Sequence, residues 1–323
     1  MNHNPLISIV IPVYNGAEYI EKTLQTISNQ SYTYFEVLLV DDSSTDDSFN
    51  IISKYAALDS RCKVFKKENG GMVPKTLNFI KPFVSGDYFF YSSQDDLFSF
   101  DLLEKMINRC LETSASCVLP DMEYYFENKK TNKKTIGLNG NRAIELTGEE
   151  AFIQSLNWNI HGFALFKAEF LKNETIPEDA FDADDYVTRK WFLESDKVVF
   201  SEGIFFYRQD NPNAITKRYG KKNFYALNSR QKVWQLIVDS KSLEPYKYSA
   251  YRDFIYNYYH IINKYKTYKF ENLQDENEIS TFLSNFKKQH FTIEFIKNSI
   301  ILALKSGKIK FLVVLFVIHL KKL

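Results

Sequence analysis

Residues 8–16 read SIVIPVYNG and residues 35–48 read FEVLLVDDSSTDDS, and these two stretches decide the fold. Each begins with a short apolar run rich in β-branched residues and passes directly into polar residues. Such a run is typical of a strand that is covered on both faces of a sheet. Each stretch leads into a segment with helical spacing, so the pair predicts consecutive strand–helix units.

The same alternation continues along the chain to about residue 120. Further strands are predicted at 63–67, 87–92 and 116–120, and helices at 17–30, 44–58, 73–84 and 100–113. Ser44 or Thr45 is the expected cap of the second helix. Strands that alternate with helices indicate an α/β fold with a mostly parallel, Rossmann-like sheet and flanking helices. A helix at 184–195 and two strand-like pieces around Gly203 follow.

The amino-acid composition of the chain changes beyond residue 219. Gly and Pro almost vanish, and Tyr, Phe, Lys and Asn recur at helical spacing. This pattern predicts an α/β domain over residues 1–218 and a helical C-terminal region over residues 219–323.

The composition excludes several classes of protein. The chain has 323 residues, 45% of them hydrophobic, and a formal net charge of +1. These values argue against a disordered chain, a polytopic membrane protein and a dedicated nucleic-acid binder. The three cysteines indicate neither a disulfide framework nor a zinc site, and the N-terminus does not resemble a signal peptide. We therefore expect a cytoplasmic protein.

The last segment of the chain, from Phe295 onward, combines apolar and basic residues. Glu294 is the final acidic residue, and residues 311–320 read FLVVLFVIHL between lysines. Ten apolar residues are too few to cross a bilayer, which takes about 20. The pattern predicts a basic amphipathic tail on the inner face of the cytoplasmic membrane. The alternatives are a helix packed on the body of the protein or one that forms an oligomer.

Polar residues follow the predicted strands at 12–15, 41–46, 69–71 and 93–96. In an open α/β sheet, ligands bind beyond the carboxyl ends of the strands. Two acidic pairs, Asp41–Asp42 and Asp95–Asp96, are therefore expected on one face. Acidic residues there are costly unless they hold a cation or a hydrogen-bond donor, and Mg²⁺ or Mn²⁺ is the natural partner of carboxylates beside phosphates. Taken alone, either pair is also compatible with a solvated loop.

Ordered motifs make the chain resemble the family 2 glycosyltransferases, which have the GT-A fold. Besides the two opening stretches, the motifs are NGG at 69–71, GDYFFYSSQDDLF at 86–98, HGFALFKAEFL at 161–171, DADDYVTRKWF at 182–192 and FFYRQDNPNAIT at 205–216. They cover roughly residues 6–216. The resemblance implies an inverting transfer of one sugar from a nucleotide-sugar donor to a glycan acceptor, without a covalent glycosyl-enzyme.

The resemblance also implies roles for individual residues. Nucleotide contacts fall on Pro12, Tyr14, Asn15, Asp41, Asp42, Lys75 and Asp95. Lys75 is expected in the loop after Gly71. The metal pair is Asp95 and Asp96, and the general base is Asp185 or its neighbour Asp184.

Four further residues are candidate contacts to the acceptor or the donor sugar. Trp158 can stack on a sugar face or pack in the core, and His161 can contact a sugar or be a buried structural histidine. Gly162 lies beside His161. Arg208 can hold the diphosphate or form an ion pair.

The departures from the family pattern leave alternatives open. Ser93 stands where the family often has the first acid of Asp-x-Asp-Asp. Because of this difference, one alternative is a GT-A-like protein that binds a nucleotide without catalysis. A sugar nucleotidyltransferase is the second alternative, although residues 14–18 are not its Gly-rich basic loop. At the family level, the expected donor is a UDP-sugar and the expected acceptor is a glycan on a polyprenyl-diphosphate lipid, in O-antigen or capsule biosynthesis.

Overall fold

The structure is a computed structural model that describes residues 4–128, 133–214, 217 and 219–307. It comprises two compact units. Unit 1 contains residues 1–178 and 183–217, and unit 2 contains residues 179–182 and 218–323.

Unit 1 holds the strands of the described chain. They are β1 (Ile7–Val13), β2 (Phe35–Asp41), β3 (Cys62–Lys66), β4 (Tyr88–Tyr91), β5 (Leu97–Phe98), β6 (Cys117–Tyr125), β7 (Lys134–Thr135), β8 (Leu165–Lys167) and β9 (Val198–Arg208). Its helices are α1 (Ile20–Ser28), α2 (Ser48–Leu58), α3 (Val73–Ile80), α4 (Leu102–Thr113), α5 (Gly148–Leu156), α6 (Ala168–Asn173) and α7 (Ala183–Glu194).

The strands form one mixed sheet in the order β3-β2-β1-β4-β8-β6-β9-β5, and β7 pairs with β6. The pairings from β3 to β4 are parallel, as is β6 with β9, whereas β8 runs antiparallel to both of its neighbours. The α/β fold with flanking helices is confirmed. Strand β8 lies beyond residue 120, where the alternation of predicted strands and helices ends, and the short strands β5 and β7 also pair antiparallel, with β9 and β6.

The core of unit 1 explains why the opening stretches form strands. Ile7, Ile9 and Ile11 alternate with Val10 along β1, and all four side chains are fully buried because the sheet is covered on both faces. In α1 the buried residues Ile20, Thr23, Leu24 and Ile27 form a single stripe at helical spacing.

Two local predictions are corrected by tertiary contacts. Helix α2 begins at Ser48, because the backbone N–H groups of Ser44 and Thr45 bond to Asp41 and Asn15 instead of entering a helix. Strand β9 is continuous through Gly203. A Cβ there would lie 2.9 Å from the Leu102 Cα atom, so the glycine allows close packing against α4.

Unit 2 is helical in the residues described. Its helices are α8 (Ala226–Asp239), α9 (Lys247–Thr267), α10 (Leu273–His290) and α11 (Ile293–Lys305), with short 3-10 turns at Lys221–Tyr225 and Glu244–Tyr246. The aromatic-rich segments pack against one another, and Phe254, Phe286 and Phe295 lie in their common core.

Helix α11 bears on the predicted tail. Phe295 and Ala303 are buried in the core of unit 2, so the beginning of the predicted tail is part of a packed helix. Its outer face leaves Ile293 and Leu304 exposed. Residues 308–323, which carry the apolar run, lie outside the described residues. Within the described part of the chain, none of the helices has both the length and the apolarity needed to cross a bilayer.

Candidate active site

The loops after β1 and β4 are joined at the edge of the sheet. The Gln94 side chain accepts a hydrogen bond from the Tyr14 N–H (2.8 Å) and donates one to the Tyr14 carbonyl (3.0 Å). Gly16 permits this approach, because a Cβ at that position would come within 2.3 Å of the Gln94 side chain. Pro12 and Tyr14 are thereby fixed beside the Asp95–Asp96 turn, and the Tyr14 ring remains 47% exposed.

The loops after β1 and β2 are joined by Asn15. Its side-chain oxygen accepts a hydrogen bond from the Thr45 N–H (2.8 Å), and its own N–H donates to the Ser44 hydroxyl (3.0 Å). Asn15 adopts a left-handed backbone with φ of 47°, which asparagine tolerates better than most residues. Asp41 is fully buried and accepts the Ser44 N–H. The predicted nucleotide residues of these two loops therefore lie together.

Asp42 lies in a compact group with residues of the third loop. Its carboxylate forms an ion pair with Lys67 and accepts the Gly70 N–H at 2.8 Å. The Lys75 side chain is close by, because a Cβ on Gly70 would lie 3.0 Å from it. Lys75 is in the first turn of α3 rather than in the loop before it, which corrects the predicted position.

The acidic pair after β4 is held differently. Ser93 donates its hydroxyl to one oxygen of Asp95 (2.8 Å), and Asn211 donates its amide to the other (2.6 Å). Asp96 is fully buried and accepts the Arg208 backbone N–H with one oxygen, while its Oδ2 has no partner in the described structure. Burial, and then the charge of Asp95, raise the pKa of Asp96 well above its ordinary value.

Asp95 and Asp96 offer carboxylate oxygens to a metal ion. Among the described residues, no group of three or more His, Cys, Asp or Glu side chains is placed to hold a metal ion. Mg²⁺ commonly uses one or two carboxylates and completes its shell with substrate phosphates and water. Two carboxylates, one with an unsatisfied buried oxygen, fit a site of that kind.

Arg208 contacts both members of the Asp95–Asp96 pair. Its guanidinium donates to the Asp95 carbonyl (2.9 Å) and pairs with Glu127 (3.2 Å) and Asp210 (3.1 Å). It also lies over the rings of Tyr19 and Tyr125. The side chain is only 3% exposed. In this arrangement the guanidinium is committed to protein partners, so the geometry favours a positioning role over direct contact with a diphosphate.

The two candidate bases lie in the first turn of α7 but have different surroundings. Asp185 forms an ion pair with Arg189 one turn later. Asp184 acts electrostatically on Tyr91 at the end of β4. Burial raises the pKa of Tyr91 well above its ordinary value, and the charges of Asp184, Asp96 and Asp95 contribute to the shift. The structure therefore brings the start of α7 to the same edge of the sheet as the acidic pair.

The remaining candidates follow α5. His161 is buried, and its Nε2 contacts the Pro120 carbonyl at 2.9 Å. Burial lowers the pKa of His161 to about 4, so the ring is neutral and the contact favours a structural role. Gly162 packs near α7, where a Cβ would lie 3.1 Å from Thr188. Trp158 does not pack in the core, because it is 70% exposed.

Comparison with solved structures shows the GT-A fold. TarS of S. aureus, residues 1–349 in complex with UDP-GlcNAc, matches with a TM-score of 0.67 and 18% identity over 95% of this chain and 89% of TarS 1–349. The mannosyltransferase PcManGT of Pyrobaculum calidifontis, in complex with GDP-Man and Mn²⁺, matches with a TM-score of 0.55 and 16% identity over 98% of this chain and 87% of its own. The predicted architecture is confirmed.

The sequence also places the protein in a family. The model of glycosyl transferase family 2 matches residues 8–174, just over half of the chain. This chain therefore belongs to glycosyl transferase family 2, and the resemblance drawn from its motifs is confirmed.

Individual relatives match parts of the chain. Glycosyltransferase GlyG of Streptococcus pneumoniae is 26% identical over 63% of this chain and 71% of its own length. TuaG of Bacillus subtilis, named for teichuronic acid biosynthesis, is 32% identical over 36% of this chain and 46% of its own. Hyaluronan synthase of Pasteurella multocida is 25% identical over 95% of this chain but only 32% of its own length.

Four residues of the site were missed by the sequence analysis. Gln94 ties two loops together, Lys67 pairs with Asp42, Asn211 holds Asp95, and Arg189 pairs with Asp185. Arg189 lies four residues after Asp185 in a predicted helix, so helical spacing offered a signal for that pair. The other three contacts join distant parts of the chain, so no local sequence pattern predicts them.

Proposed function

We propose that this chain is an inverting, metal-dependent hexosyl-type glycosyltransferase. It would move one sugar from a nucleotide-sugar donor, a UDP-sugar first, to a glycan acceptor in the synthesis of a surface polysaccharide such as O-antigen or capsule. Family membership supports the reaction type, and the UDP-GlcNAc bound to TarS supports the donor class. The names of TuaG and hyaluronan synthase support a polysaccharide product. The observation that carries the proposal is the convergence of the nucleotide loops, the acidic pair and the start of α7 on one edge of the sheet.

The chain's own residues account for the steps of such a transfer. The loops that carry Tyr14, Asn15 and Asp42 would bind the nucleoside. Asp95, with Asp96 beneath it, would hold Mg²⁺ or Mn²⁺, which supplies positive charge to the diphosphate when bound. Ser93 and Asn211 keep both oxygens of Asp95 oriented.

Proton transfer is assigned to the start of α7. The acceptor hydroxyl would give its proton to Asp185 while its oxygen attacks the anomeric carbon. The bond from that carbon to the diphosphate breaks, and the nucleoside diphosphate leaves with the electron pair from the opposite face. Arg189 orients the Asp185 carboxylate, and Asp184 adds its charge beside Tyr91.

Binding and hydrolysis of UDP-, GDP- and dTDP-sugars, with and without Mn²⁺, test this proposal. Metal-dependent binding of one donor with slow hydrolysis is the expected result. Binding that does not respond to metal and is never followed by turnover would contradict it and favour the non-catalytic alternative, with Ser93 as its cause.

Paired variants test the base. We expect Asp185→Asn to abolish transfer and to leave nucleotide binding intact, because the amide cannot accept the proton. Asp184→Asn is the matched control and retains measurable turnover. The reverse outcome would assign the base to Asp184.

A membrane location and a lipid-linked acceptor, such as a polyprenyl-diphosphate glycan, are the remaining parts of the proposal. They rest on the basic, apolar composition after Glu294. Because Phe295 is part of the core of unit 2, a deletion must begin after Gly307 to leave α11 whole. We expect this deletion to release the protein from anionic vesicles, and unchanged fractionation would refute the role of the tail.

A further inference from the structure

Trp158 exposes a large apolar ring to solvent at the end of α5. The indole is 70% exposed, whereas Trp191 in the same unit is 2% exposed. A large apolar ring in water forgoes the favourable free energy of its burial. The packing of unit 1 therefore does not explain why a tryptophan stands at this position.

The backbone of Trp158 is held in an unfavourable conformation. Its φ is 56°, in the left-handed region that bulky residues rarely adopt. The turn is fastened to the end of α5, because the Trp158 N–H donates to the Ser155 carbonyl (3.1 Å) and the Asn159 N–H donates to the Gln154 carbonyl (3.1 Å). The Asn159 amide also donates to the Gln154 side chain at 2.8 Å. These bonds fix the backbone of the turn that exposes the indole.

One neighbour connects the indole to the proposed base. The guanidinium carbon of Arg189 lies over the Trp158 ring, 5.1 Å from its centroid. The same guanidinium forms the ion pair with Asp185, and its side chain is 6% exposed. The guanidinium thus links the indole to the carboxylate of Asp185, and one residue, Arg189, joins the exposed ring to the group that would deprotonate the acceptor.

We infer that Trp158 is the acceptor platform of this enzyme and that it stacks on the apolar C–H face of a pyranose ring. This inference rests on the proposed function, because it places the acceptor beside Asp185. The class of acceptor it selects is a glycoside with a six-membered ring. An open-chain polyol presents no flat C–H face to an indole, so it gains little from the platform.

Binding of a simple probe tests the platform without any turnover. Quenching of indole fluorescence by acrylamide reports mainly on Trp158, the exposed tryptophan of unit 1. We expect methyl hexopyranosides to protect the wild-type emission and ribitol not to. The protectable component should be missing from Trp158→Gly, a variant whose residue accepts the positive φ and therefore leaves the fold intact.

Kinetics with the same pyranosides test the role in transfer. We expect Trp158→Gly to raise the acceptor KM about tenfold, to leave donor hydrolysis unchanged, and to be largely rescued in Trp158→Tyr. Phe100→Ala, which removes an equally exposed ring (68%) outside the site, is the matched control and should change neither value.

The outcomes separate this inference from the proposed function. Equal protection by ribitol and pyranosides, no protection by either, or an unchanged acceptor KM in Trp158→Gly would overturn the platform. Failure of the wild type to bind or hydrolyse any donor would refute the proposed function, while the quenching arm would still decide the platform.

Discussion

The two acidic pairs at the edge of the sheet look alike in sequence but are stabilised in opposite ways. Asp42 is neutralised within the protein, by the ammonium of Lys67 and the N–H of Gly70. Asp95 is held by the neutral donors Ser93 and Asn211, and Asp96 keeps a buried oxygen without a partner in the described structure. The guanidinium of Arg208 bonds to the Asp95 carbonyl and to the carboxylates of Glu127 and Asp210, not to the carboxylates of this pair.

The difference favours Asp95–Asp96 as the pair that would receive a cation in the proposed function. A buried carboxylate is costly unless a charge or a set of donors compensates it. In the first pair, Asp41–Asp42, the charge of Asp42 is compensated by Lys67 and Gly70, so this pair is suited to hydrogen bonding with a nucleoside. The second pair, Asp95–Asp96, has oriented oxygens but no ion-pair partner among the described residues, and burial together with the charge of Asp95 raises the pKa of Asp96. A divalent ion between this pair and a diphosphate would favour the ionised form of both side chains.

Removing the Asp95 carboxylate from the Asp95–Asp96 pair should have the largest effect on activity. We expect Asp95→Ala to lower Mn²⁺-dependent turnover at least about 100-fold, because the metal loses its oriented carboxylate. Initial rates against Mn²⁺ concentration measure this. Asp239→Ala, which removes a carboxylate from α8, is the control. A normal Mn²⁺ response in Asp95→Ala would show that the second pair is not a metal site.

Removing Lys67, the cation that neutralises Asp42 in the Asp41–Asp42 pair, should have a smaller effect, on donor binding. In Lys67→Met, Asp42 is left without its cation and repels an anionic donor, so we expect the donor KM to rise about tenfold with kcat and Mn²⁺ dependence little changed. Lys66→Met, which removes the adjacent exposed lysine, is the matched control. A changed Mn²⁺ dependence in Lys67→Met would erase the distinction between the pairs.

The smallest effect on activity is expected at His161, which belongs to neither pair and stays neutral. Burial lowers its pKa to about 4 from 6.5. The unfolded chain therefore binds more protons between these values, and the stabilisation is present above pH 6.5 and is lost as the pH falls towards 4. His161→Gln should reduce the fall in unfolding free energy over this window by about 2 kcal/mol.

Unfolding in urea at several pH values measures the effect. His260→Gln, at an exposed position of α9, is the control. An unchanged pH dependence in His161→Gln would show that this ring titrates normally in the folded protein.

Much of the fold is predictable because local patterns carry it. The strands before Tyr14 and Asp42 are continuous apolar runs, and α1 shows its buried stripe directly in its spacing. The short strands β5, β7 and β8 are not predictable in the same way, since two or three residues have no period. Their positions depend on pairing with β9, β6 and β4.

The sequence by itself determined the class of protein. Its ordered motifs identify the family, and the rule that ligands bind beyond the carboxyl ends of strands collects both acidic pairs on one edge. Only the tertiary structure decided which partners each acid has there. The partners Lys67, Asn211 and Arg208 come from other loops and strands, and the exposure of Trp158 depends on the turn that ends α5. The physical reason is that charge compensation and burial depend on neighbours in space, which a linear pattern does not encode.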